Sequence, residues 1–381
     1  MGFSFWQRAA NPIGVDFGAS GVKLLQLRHG RAGLHVVAAA RQDYPEDLSE
    51  DPATRHRQVV ETLRAATRSA PFEGRDCVCS LSVGDLMLRA TRFPKLGADE
   101  LSKAAHWEAA DRFNIPVEDL QVDWIRAGEV RQGEEIRDEV LLIAVRRPIV
   151  EAHLNALIEC RLRPIAVDAP FAATTRCLNR ALRRASDSET VRMIVDIGAA
   201  GATVMITRGQ GIAFLKPVDI GGAQMNRAVA AALDLDVNAA AQLRRERMRQ
   251  SAERGGELLD DRVDRALYEA VRPLLHDLAQ EAALCLRYYS VTFRGVRPEL
   301  VLVAGGDGAE PHMCEALSQV LKIETQVAHS LENIDTSAVE LGVDRRYERC
   351  PQWSVATGLS LRDDPNEAPE LEAQTDGRAA A

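Results

Sequence analysis

Two aspartates, each placed between a hydrophobic strand and a glycine-rich turn, are the residues in this sequence best suited to chemistry. Residues 15–21 read Val-Asp-Phe-Gly-Ala-Ser-Gly, and residues 195–201 repeat the pattern as Val-Asp-Ile-Gly-Ala-Ala-Gly. A tight glycine turn can direct backbone N–H groups at a phosphate, and a carboxylate beside it can hold a hydrated Mg2+ ion, directly or through water. The repeat therefore predicts that Asp16 and Asp196 share a phosphate-binding cleft.

Glycines and one lysine complete this predicted phosphate site. Gly18 and Gly198 allow the backbone to approach a ligand closely. Lys23 lies seven residues after Asp16 on the next predicted strand, so it can reach back to a phosphate as a point charge. The remaining members of the predicted cofactor-binding set around these turns are Ser20, Gly21, Gly221 and Gly222.

A third glycine loop, residues 304–308 with the sequence Ala-Gly-Gly-Asp-Gly, follows a buried strand and precedes a helix. The glycine pair Gly305 and Gly306 lets a flat base or ribose lie against the backbone. Each loop alone is a weak signal, because Asp-x-Gly turns are common and their aspartates can be simple turn caps. Three such loops in order, two of them inside duplicated hairpins, favour a nucleotide site over that alternative.

The first two loops belong to an internal repeat. In each half a strand enters the glycine turn and two further strands follow around a second turn, over residues 13–40 and again over residues 193–218. Asp16 and Asp196 are 180 positions apart. The repeat predicts an α/β fold with two lobes related by pseudo-two-fold symmetry, and a chain of 381 residues is long enough for two hydrophobic cores.

Composition narrows the class of protein. Hydrophobic residues make up 46% of the chain and charged residues 27%, which is typical of a soluble globular protein. The net charge of -9 argues against a nucleic-acid partner, because phosphate contacts need a basic surface. No run approaches the roughly 18 apolar residues that a membrane span requires.

Neither the cysteines nor the histidines have the spacing of a metal site. The seven cysteines are odd in number and irregularly spaced, which indicates small buried hydrophobes in a reducing cytoplasm. The eight histidines are scattered without ligand spacing. The sequence thus predicts Mg2+ at the two aspartates and no transition-metal centre.

At these residues a family resemblance becomes visible. The order of Asp16, Lys23, Asp196 and the glycine pair resembles the superfamily of actin, hexokinase and the heat-shock chaperones. Within it, the chain resembles the type IV pilus assembly protein PilM family, a relative of the cell-division protein FtsA. The most discriminating segment is Ala-His-Trp-Glu-Ala at residues 105–109, which is similar to the Trp-Glu-Ala segment of that family. The resemblance covers about residues 12–362.

The resemblance implies a two-lobed actin-like fold, a duplicated ribonuclease H-like architecture with an inserted small α/β subdomain in the first lobe. The expected parts are a flexible N-terminal segment at 1–12, a first lobe at 13–83 plus 151–188, an inserted FtsA-like subdomain at 84–150, a second lobe at 189–362 with a helical subdomain at about 222–298, and a disordered acidic tail at 363–381.

The resemblance also implies a function. Proteins of this family are cytoplasmic, bind ATP in the cleft between the lobes, and dock the N-terminal cytoplasmic tail of the inner-membrane protein PilN with the help of the inserted subdomain. We therefore expect ATP and Mg2+ as cofactors, a PilN-like partner, a peripheral position at the inner membrane through that partner, and self-association as in FtsA-like proteins. Trp107 is either an anchor of the peptide groove or an ordinary core residue.

Three positions depart from the pattern of that family. Its members carry a threonine six residues after the second aspartate, where this chain has Ala202; Thr203 follows one step later and, on a strand, faces the other way. Glu281, expected near the adenosine, is followed by apolar rather than basic residues, and Arg244 stands where a nucleotide-contacting lysine is common. These departures predict a weak ATPase at most.

Two other functions stay open on the sequence alone. A small-molecule kinase on the same frame would need a general base, for which Asp168 at the end of a first-lobe strand is the candidate. A capping role before the next helix is an equal alternative for this aspartate. A degenerate relative that binds no nucleotide would agree with the departures at the second phosphate loop.

The charged stretch at residues 244–257 is expected to lie on the surface. It contains glycines and is predicted to form an exposed loop or a frayed helix. Its basic part, residues 244–249, is followed by acidic residues, so a solvated charged face is favoured over a nucleic-acid patch. A long helix is predicted from about residue 260 to residue 289.

Overall fold

The computed structural model describes residues 10–31, 33–254, 260–339, 341 and 349–362. The elements of the first half, in chain order, are β1 (Ile13–Phe17), β2 (Gly21–Gly30), β3 (Gly33–Asp43), α1 (Pro52–Ser69), β4 (Asp76–Ser80), β5 (Met87–Phe93), α2 (Ala98–Phe113), β6 (Leu120–Gln132), β7 (Glu135–Arg146), α3 (Arg147–Glu159), β8 (Arg163–Asp168) and α4 (Pro170–Asn179).

The elements of the second half, in chain order, are β9 (Val191–Ile197), β10 (Ala202–Arg208), β11 (Gly211–Val218), α5 (Gly222–Leu233), α6 (Val237–Arg254), α7 (Asp261–Phe293), β12 (Leu300–Ala304), α8 (Met313–Leu321), β13 (Glu324–Val327) and α9 (Ser354–Ser360). Short 3-10 helices lie at Val83–Asp85, Val117–Asp119, Ala185–Glu189 and Pro351–Trp353.

Two five-stranded sheets carry the internal repeat. Their strand orders are β3-β2-β1-β4-β8 and β11-β10-β9-β12-β13, so each strand of the first sheet has a counterpart in the second. In both sheets the leading strand is antiparallel to its hairpin partner and parallel to its other neighbour. The predicted duplicated α/β fold is confirmed.

The leading strands are buried because helices cover both faces of each sheet. Every residue of β1 is buried, as is typical of a strand with a parallel neighbour in a covered sheet. One face of the first sheet packs against α1 and α3, with Leu63 and Leu157 in the shared core. One face of the second sheet packs against α5, α7 and α8, with Met225, Leu275 and Leu317 in its core.

Two helices, α4 and α9, lie between the two sheets. Phe171 of α4 shares a core with Ile194 of the second sheet. Ala173, on another side of the same helix, shares a core with Val78 of the first sheet and Leu359 of α9. Helix α4 is therefore in contact with both lobes, and a rearrangement of the lobes must change the packing of this helix.

Helix α9 packs on the first sheet, although residues up to 362 were expected to belong to the second lobe. Glycines permit the close approach. A side chain at Gly14 of β1 would overlap the carbonyl oxygen of Ala356, and a side chain at Gly358 would overlap the carbonyl oxygen of Ala173. The chain thus returns to the first lobe after completing the second sheet.

A third sheet, with the order β5-β7-β6, is built from residues inserted between β4 and α3. Leu142 of β7 faces α2 and packs against Leu101. The alternate residue Ile143 points to the opposite face and joins a core with Phe171 of α4 and Ile212 of β11. The inserted sheet is therefore in contact with elements of both halves of the chain.

Helix α6 takes the place of the loop or frayed helix predicted at residues 244–257. The prediction rested on glycines at 255–256, which lie outside the described residues, whereas residues 237–254 contain good helix formers and no glycine or proline. Helix α7 ends at Phe293, four residues beyond the predicted end. The predicted acidic tail and residues 1–9 of the predicted flexible start also lie outside the described residues.

No helix in the described part of the chain has both the length and the apolar composition needed to cross a membrane.

The contact at Gly358 generates a prediction about stability. Gly358→Ala places a methyl group on the Ala173 carbonyl oxygen, so α9 must move away from α4. We expect the free energy of unfolding to fall by about 1–3 kcal/mol, the usual cost of overpacking a core. Urea unfolding followed by circular dichroism measures this. Gly84→Ala is the matched control, because the nearest atom to its new methyl group would be Ser82 Oγ at 3.8 Å; equal stability of the two variants would contradict the prediction.

Candidate functional site

The two glycine turns have the same hydrogen bond. The N–H of Gly18 donates to the carbonyl oxygen of Gly21 at 3.0 Å, and the N–H of Gly198 donates to that of Gly201 at 2.9 Å. Each turn directly follows the leading strand of its sheet, which ends one residue after the aspartate. The duplication predicted from the sequence therefore extends to the backbone of the two candidate phosphate loops.

Asp16 is buried and is held by a cation and a hydroxyl group. Lys23 Nζ lies 3.1 Å from Asp16 Oδ2, because the antiparallel register of β1 and β2 places the two residues opposite each other. Ser80 Oγ donates to Asp16 Oδ1 at 3.2 Å from the neighbouring strand β4. Sequence reasoning missed Ser80; the available signal was a polar residue at the carboxyl end of a buried strand that runs parallel to β1.

Asp196 accepts a hydrogen bond from the other lobe. Thr174 Oγ1 of α4 donates to Asp196 Oδ2 at 2.8 Å. Burial raises the pKa of Asp196 to about 6; the Thr174 hydroxyl opposes that rise, the Asp16 carboxylate adds to it, and the Lys23 ammonium opposes it. The two predicted aspartates thus lie near enough to act on each other electrostatically. A pair of carboxylates that destabilise one another is a suitable set of ligands for a divalent cation.

The third glycine loop packs against the second glycine turn. Gly305 has φ = +90°, which favours glycine, and a Cβ there would lie 2.5 Å from Asp196 Oδ1. The N–H of Asp307 donates to the carbonyl oxygen of Ile197 at 3.0 Å. Gly306, in contrast, has open space around the position of a Cβ, with no atom within 4 Å. The loop therefore offers a free backbone surface directly beside the aspartate pair.

The start of helix α5 is in contact with the same turn. The N–H of Gly222 donates to the carbonyl oxygen of Gly198 at 3.0 Å, and a Cβ on Gly221 would lie 2.5 Å from the nitrogen of Gly201. The structure thus brings together the second glycine turn, the Gly221–Gly222 pair and the third glycine loop. Small residues are required at these positions because three backbone segments meet there.

Thr203, rather than Ala202, lies beside the second aspartate. The register of β9 and β10 pairs Thr203 with Asp196, just as the register of β1 and β2 pairs Lys23 with Asp16. Residues directly opposite on antiparallel strands point to the same face. Ala202 points to the hydrophobic core of the second lobe. The inference that Thr203 faces away from the site is therefore wrong.

Arg244, predicted to contact a nucleotide, is buried among acidic side chains. Its guanidinium group lies 2.6 Å from Glu310 Oε2 and 3.1 Å from Asp307 Oδ1. Arg247, one turn later on α6, lies 2.9 Å from Glu310 Oε1. The expectation of a solvated charged face at residues 244–249 is thus wrong for these two arginines, which point inward and are balanced by carboxylates distant in sequence.

Glu281 and Asp168 have other partners. Glu281 Oε2 lies 2.8 Å from Lys216 Nζ. Asp168 Oδ2 lies 2.9 Å from a guanidinium nitrogen of Arg176 and 3.0 Å from one of Arg362. These ion pairs give Asp168 a structural task at the end of β8, and its catalytic role and the adenosine contact of Glu281 stay predictions.

The raised pKa of Asp196 generates a prediction about pH. Folding shifts this pKa from an ordinary value of 3.8 to about 6, so the ionised carboxylate is destabilising in the folded protein, and this cost grows as the pH rises through this range and is complete above about pH 7. We expect Asp196→Asn to raise the melting temperature at pH 8 in Mg2+-free buffer, and the gain to shrink as the pH falls from about 6 to about 4. Thermal unfolding at several pH values measures it, with the exposed Asp277→Asn as the control. A gain that does not depend on pH would contradict the assignment.

Known proteins share both the sequence pattern and the fold of this chain. A family model described as type IV pilus assembly protein PilM matches residues 14–364, whereas no curated protein matches the sequence. Among solved structures, the PilM-PilN type IV pilus biogenesis complex is 24% identical, covers 92% of this chain and 98% of its own, and has a TM-score of 0.73. The ethanolamine utilization protein EutJ from Carboxydothermus hydrogenoformans is 14% identical, covers 93% and 90%, and has a TM-score of 0.53.

These similarities to solved structures concern the fold, and the predicted two-lobed actin-like architecture is confirmed by them. The family model spans most of the chain, including all three glycine loops and the inserted sheet. This protein belongs to the type IV pilus assembly protein PilM family.

Proposed function

We propose that this protein is an ATP- and Mg2+-binding scaffold of the type IV pilus or a related secretion machine, which docks the N-terminal cytoplasmic tail of a PilN-like inner-membrane protein. The observation that supports nucleotide binding is the pair of carboxylates at the two glycine turns, which lie near enough to act on each other, with Lys23 paired to Asp16. The partner part is supported by family membership and by the fold shared with a PilM protein in complex with PilN.

The residues present fit Mg2+ and a polyphosphate. Asp16 and Asp196 would hold the hydrated ion, whose charge would offset the penalty that burial and the nearby Asp16 carboxylate impose on ionised Asp196. Lys23 and the N–H groups of the glycine turns would bind phosphate oxygens. The open backbone at Gly306 would accept the ribose or base. The bound ion supplies charge neutralisation, which the protein's own cations supply only in part.

A scaffold fits the geometry better than a kinase does. A kinase needs a base beside the acceptor hydroxyl, and the candidate Asp168 is engaged by two guanidinium groups at the end of β8. The bound nucleotide would instead join the lobes, since its proposed ligands Asp16 and Asp196 come from different sheets. Turnover is then a weak side activity at most. A degenerate relative would bind no nucleotide at all, and a titration separates the two.

Side-chain contacts connect the cleft to the inserted sheet, on which the peptide is proposed to dock. Leu141 and Ile143 share a core with Phe171 of α4, and α4 also carries Thr174, which binds Asp196. Closure of the lobes on a nucleotide would therefore act on the packing of the inserted sheet. Docking on a membrane-anchored partner would place the protein at the cytoplasmic side of the inner membrane, with self-association as a further expectation.

Trp107 is a candidate contact for such a partner. Its side chain on α2 is 72% exposed, so the core alternative for this tryptophan is wrong. A large exposed aromatic side chain is typical of a residue that a partner covers.

The nucleotide proposal predicts strict dependence on Mg2+. Lys23 is already paired with Asp16, so ATP alone would meet an excess of negative charge at the two aspartates. We expect isothermal titration to detect Mg-ATP binding that excess EDTA abolishes, and Lys23→Ala to weaken it about tenfold or more, as the loss of a charged phosphate contact of about 1.5–3 kcal/mol implies. The exposed Lys103→Ala is the control. Wild-type protein that gives no heat with Mg-ATP would contradict the proposal.

A further inference from the structure

A buried ion network borders the candidate nucleotide site on the side of the second lobe. Arg244 binds Asp307 and Glu310, and Arg247 binds Glu310 and Asp264. The two arginines are 1% and 0% exposed. A buried guanidinium group is tolerated only when carboxylates balance it. The positive charge of both arginines is therefore already neutralised by carboxylates of the protein.

Asp307 is the member of this network that reaches the site. It follows Gly305 and Gly306 in the third loop, and its N–H binds the carbonyl oxygen of Ile197 in the second glycine turn. A methyl group on Gly222, the first residue of α5, would overlap the Asp307 carboxylate. The carboxylate thus lies beside the first residue of a 12-residue helix, where the helix dipole favours an anion, while the N–H groups of Gly222 and Ala223 donate to backbone carbonyl oxygens.

The surroundings of Asp307 resemble those of a bound phosphate. Arg244 donates to its Oδ1 from α6. Burial raises the pKa of the Asp307 carboxyl group, and the charge of Arg244 and, more weakly, that of Arg41 in the first lobe oppose the rise. The positive end of a helix dipole and a buried arginine are groups that would otherwise attract a phosphate. In this chain an internal carboxylate occupies that place.

We propose that Asp307 is an internal competitor of the nucleotide's phosphates, a residue that lowers affinity for polyphosphates and leaves affinity for the uncharged nucleoside unchanged. This inference rests on the proposed nucleotide site and names a determinant of its selectivity. A phosphate that approaches α5 meets a negative charge and an arginine that is already neutralised. Asp307 therefore lowers the affinity for Mg-ATP. A low affinity agrees with the proposed role of the nucleotide, which is to support docking.

Asp307→Asn tests the proposal, because it removes the charge and keeps the size and an acceptor for Arg244. We expect at least a tenfold gain in affinity for Mg-ATP by isothermal titration, and a change of less than twofold for adenosine, which carries no phosphate. Glu315→Gln on α8 is the matched control, since it changes the net charge equally at an exposed carboxylate. Asp307→Ser is a second variant, and circular dichroism verifies that each protein is folded.

Each outcome decides the question. A gain for Mg-ATP alone, including binding that only the variants show, supports the inference. Equal Mg-ATP affinity in wild type and both Asp307 variants, with measurable binding, overturns the inference and leaves the nucleotide site intact. An equal gain for adenosine also overturns it, because the effect would then be steric. No binding by any of the proteins contradicts the nucleotide site itself, and with it the role of Asp307.

Discussion

The burial of the Asp196 carboxylate beside Asp16 is the constraint around which the cleft of this molecule is arranged. Each aspartate lies one residue before the end of the central strand of its own sheet, and burial penalises the charge of Asp196. Three side chains limit the cost: Lys23 and Ser80 at Asp16, and Thr174 at Asp196. Only Thr174 reaches across from one lobe to the other. The ionised Asp196 carboxylate therefore stays energetically unfavourable in the folded protein, and a bound divalent cation would remove this penalty.

The contacts between the lobes connect the cleft that contains Asp16 and Asp196 to the surface of the inserted sheet. Helix α4 packs on both sheets, and α9 returns to the first sheet through the glycine contacts at Gly14 and Gly358. The inserted sheet rests on α4 and β11. On the open side of the cleft, Arg245 of α6 lies 3.5 Å from Asp43 of β3. Any ligand that changes the distance between the aspartates must therefore act on these contacts together.

The fold was predictable from the sequence because its signal is local and duplicated. A hydrophobic strand, an Asp-x-Gly turn and a return strand occur twice, and register alone then places Lys23 opposite Asp16. Interactions between distant residues were not predictable. Arg244 and Arg247 have the local pattern of an exposed charged helix, since Glu310, more than 60 positions away, is what buries them. The position of Thr203 required the register of β10, and the location of α9 required knowledge of the close backbone contacts at Gly14 and Gly358, which are far apart in sequence.

The central claim is that nucleotide binding in the cleft supports docking of a peptide on the inserted subdomain. The most direct measurement is a titration of the N-terminal tail peptide of the PilN-like partner into wild-type protein, with and without saturating Mg-ATP. If the nucleotide favours the arrangement of the lobes that binds the peptide, thermodynamic linkage requires that the protein binds the peptide more tightly when the nucleotide is bound. The account predicts at least a fivefold tighter complex in the presence of Mg-ATP, and no such gain in Asp16→Ala. A peptide affinity that is the same with and without Mg-ATP, under conditions where Mg-ATP is bound, would contradict it.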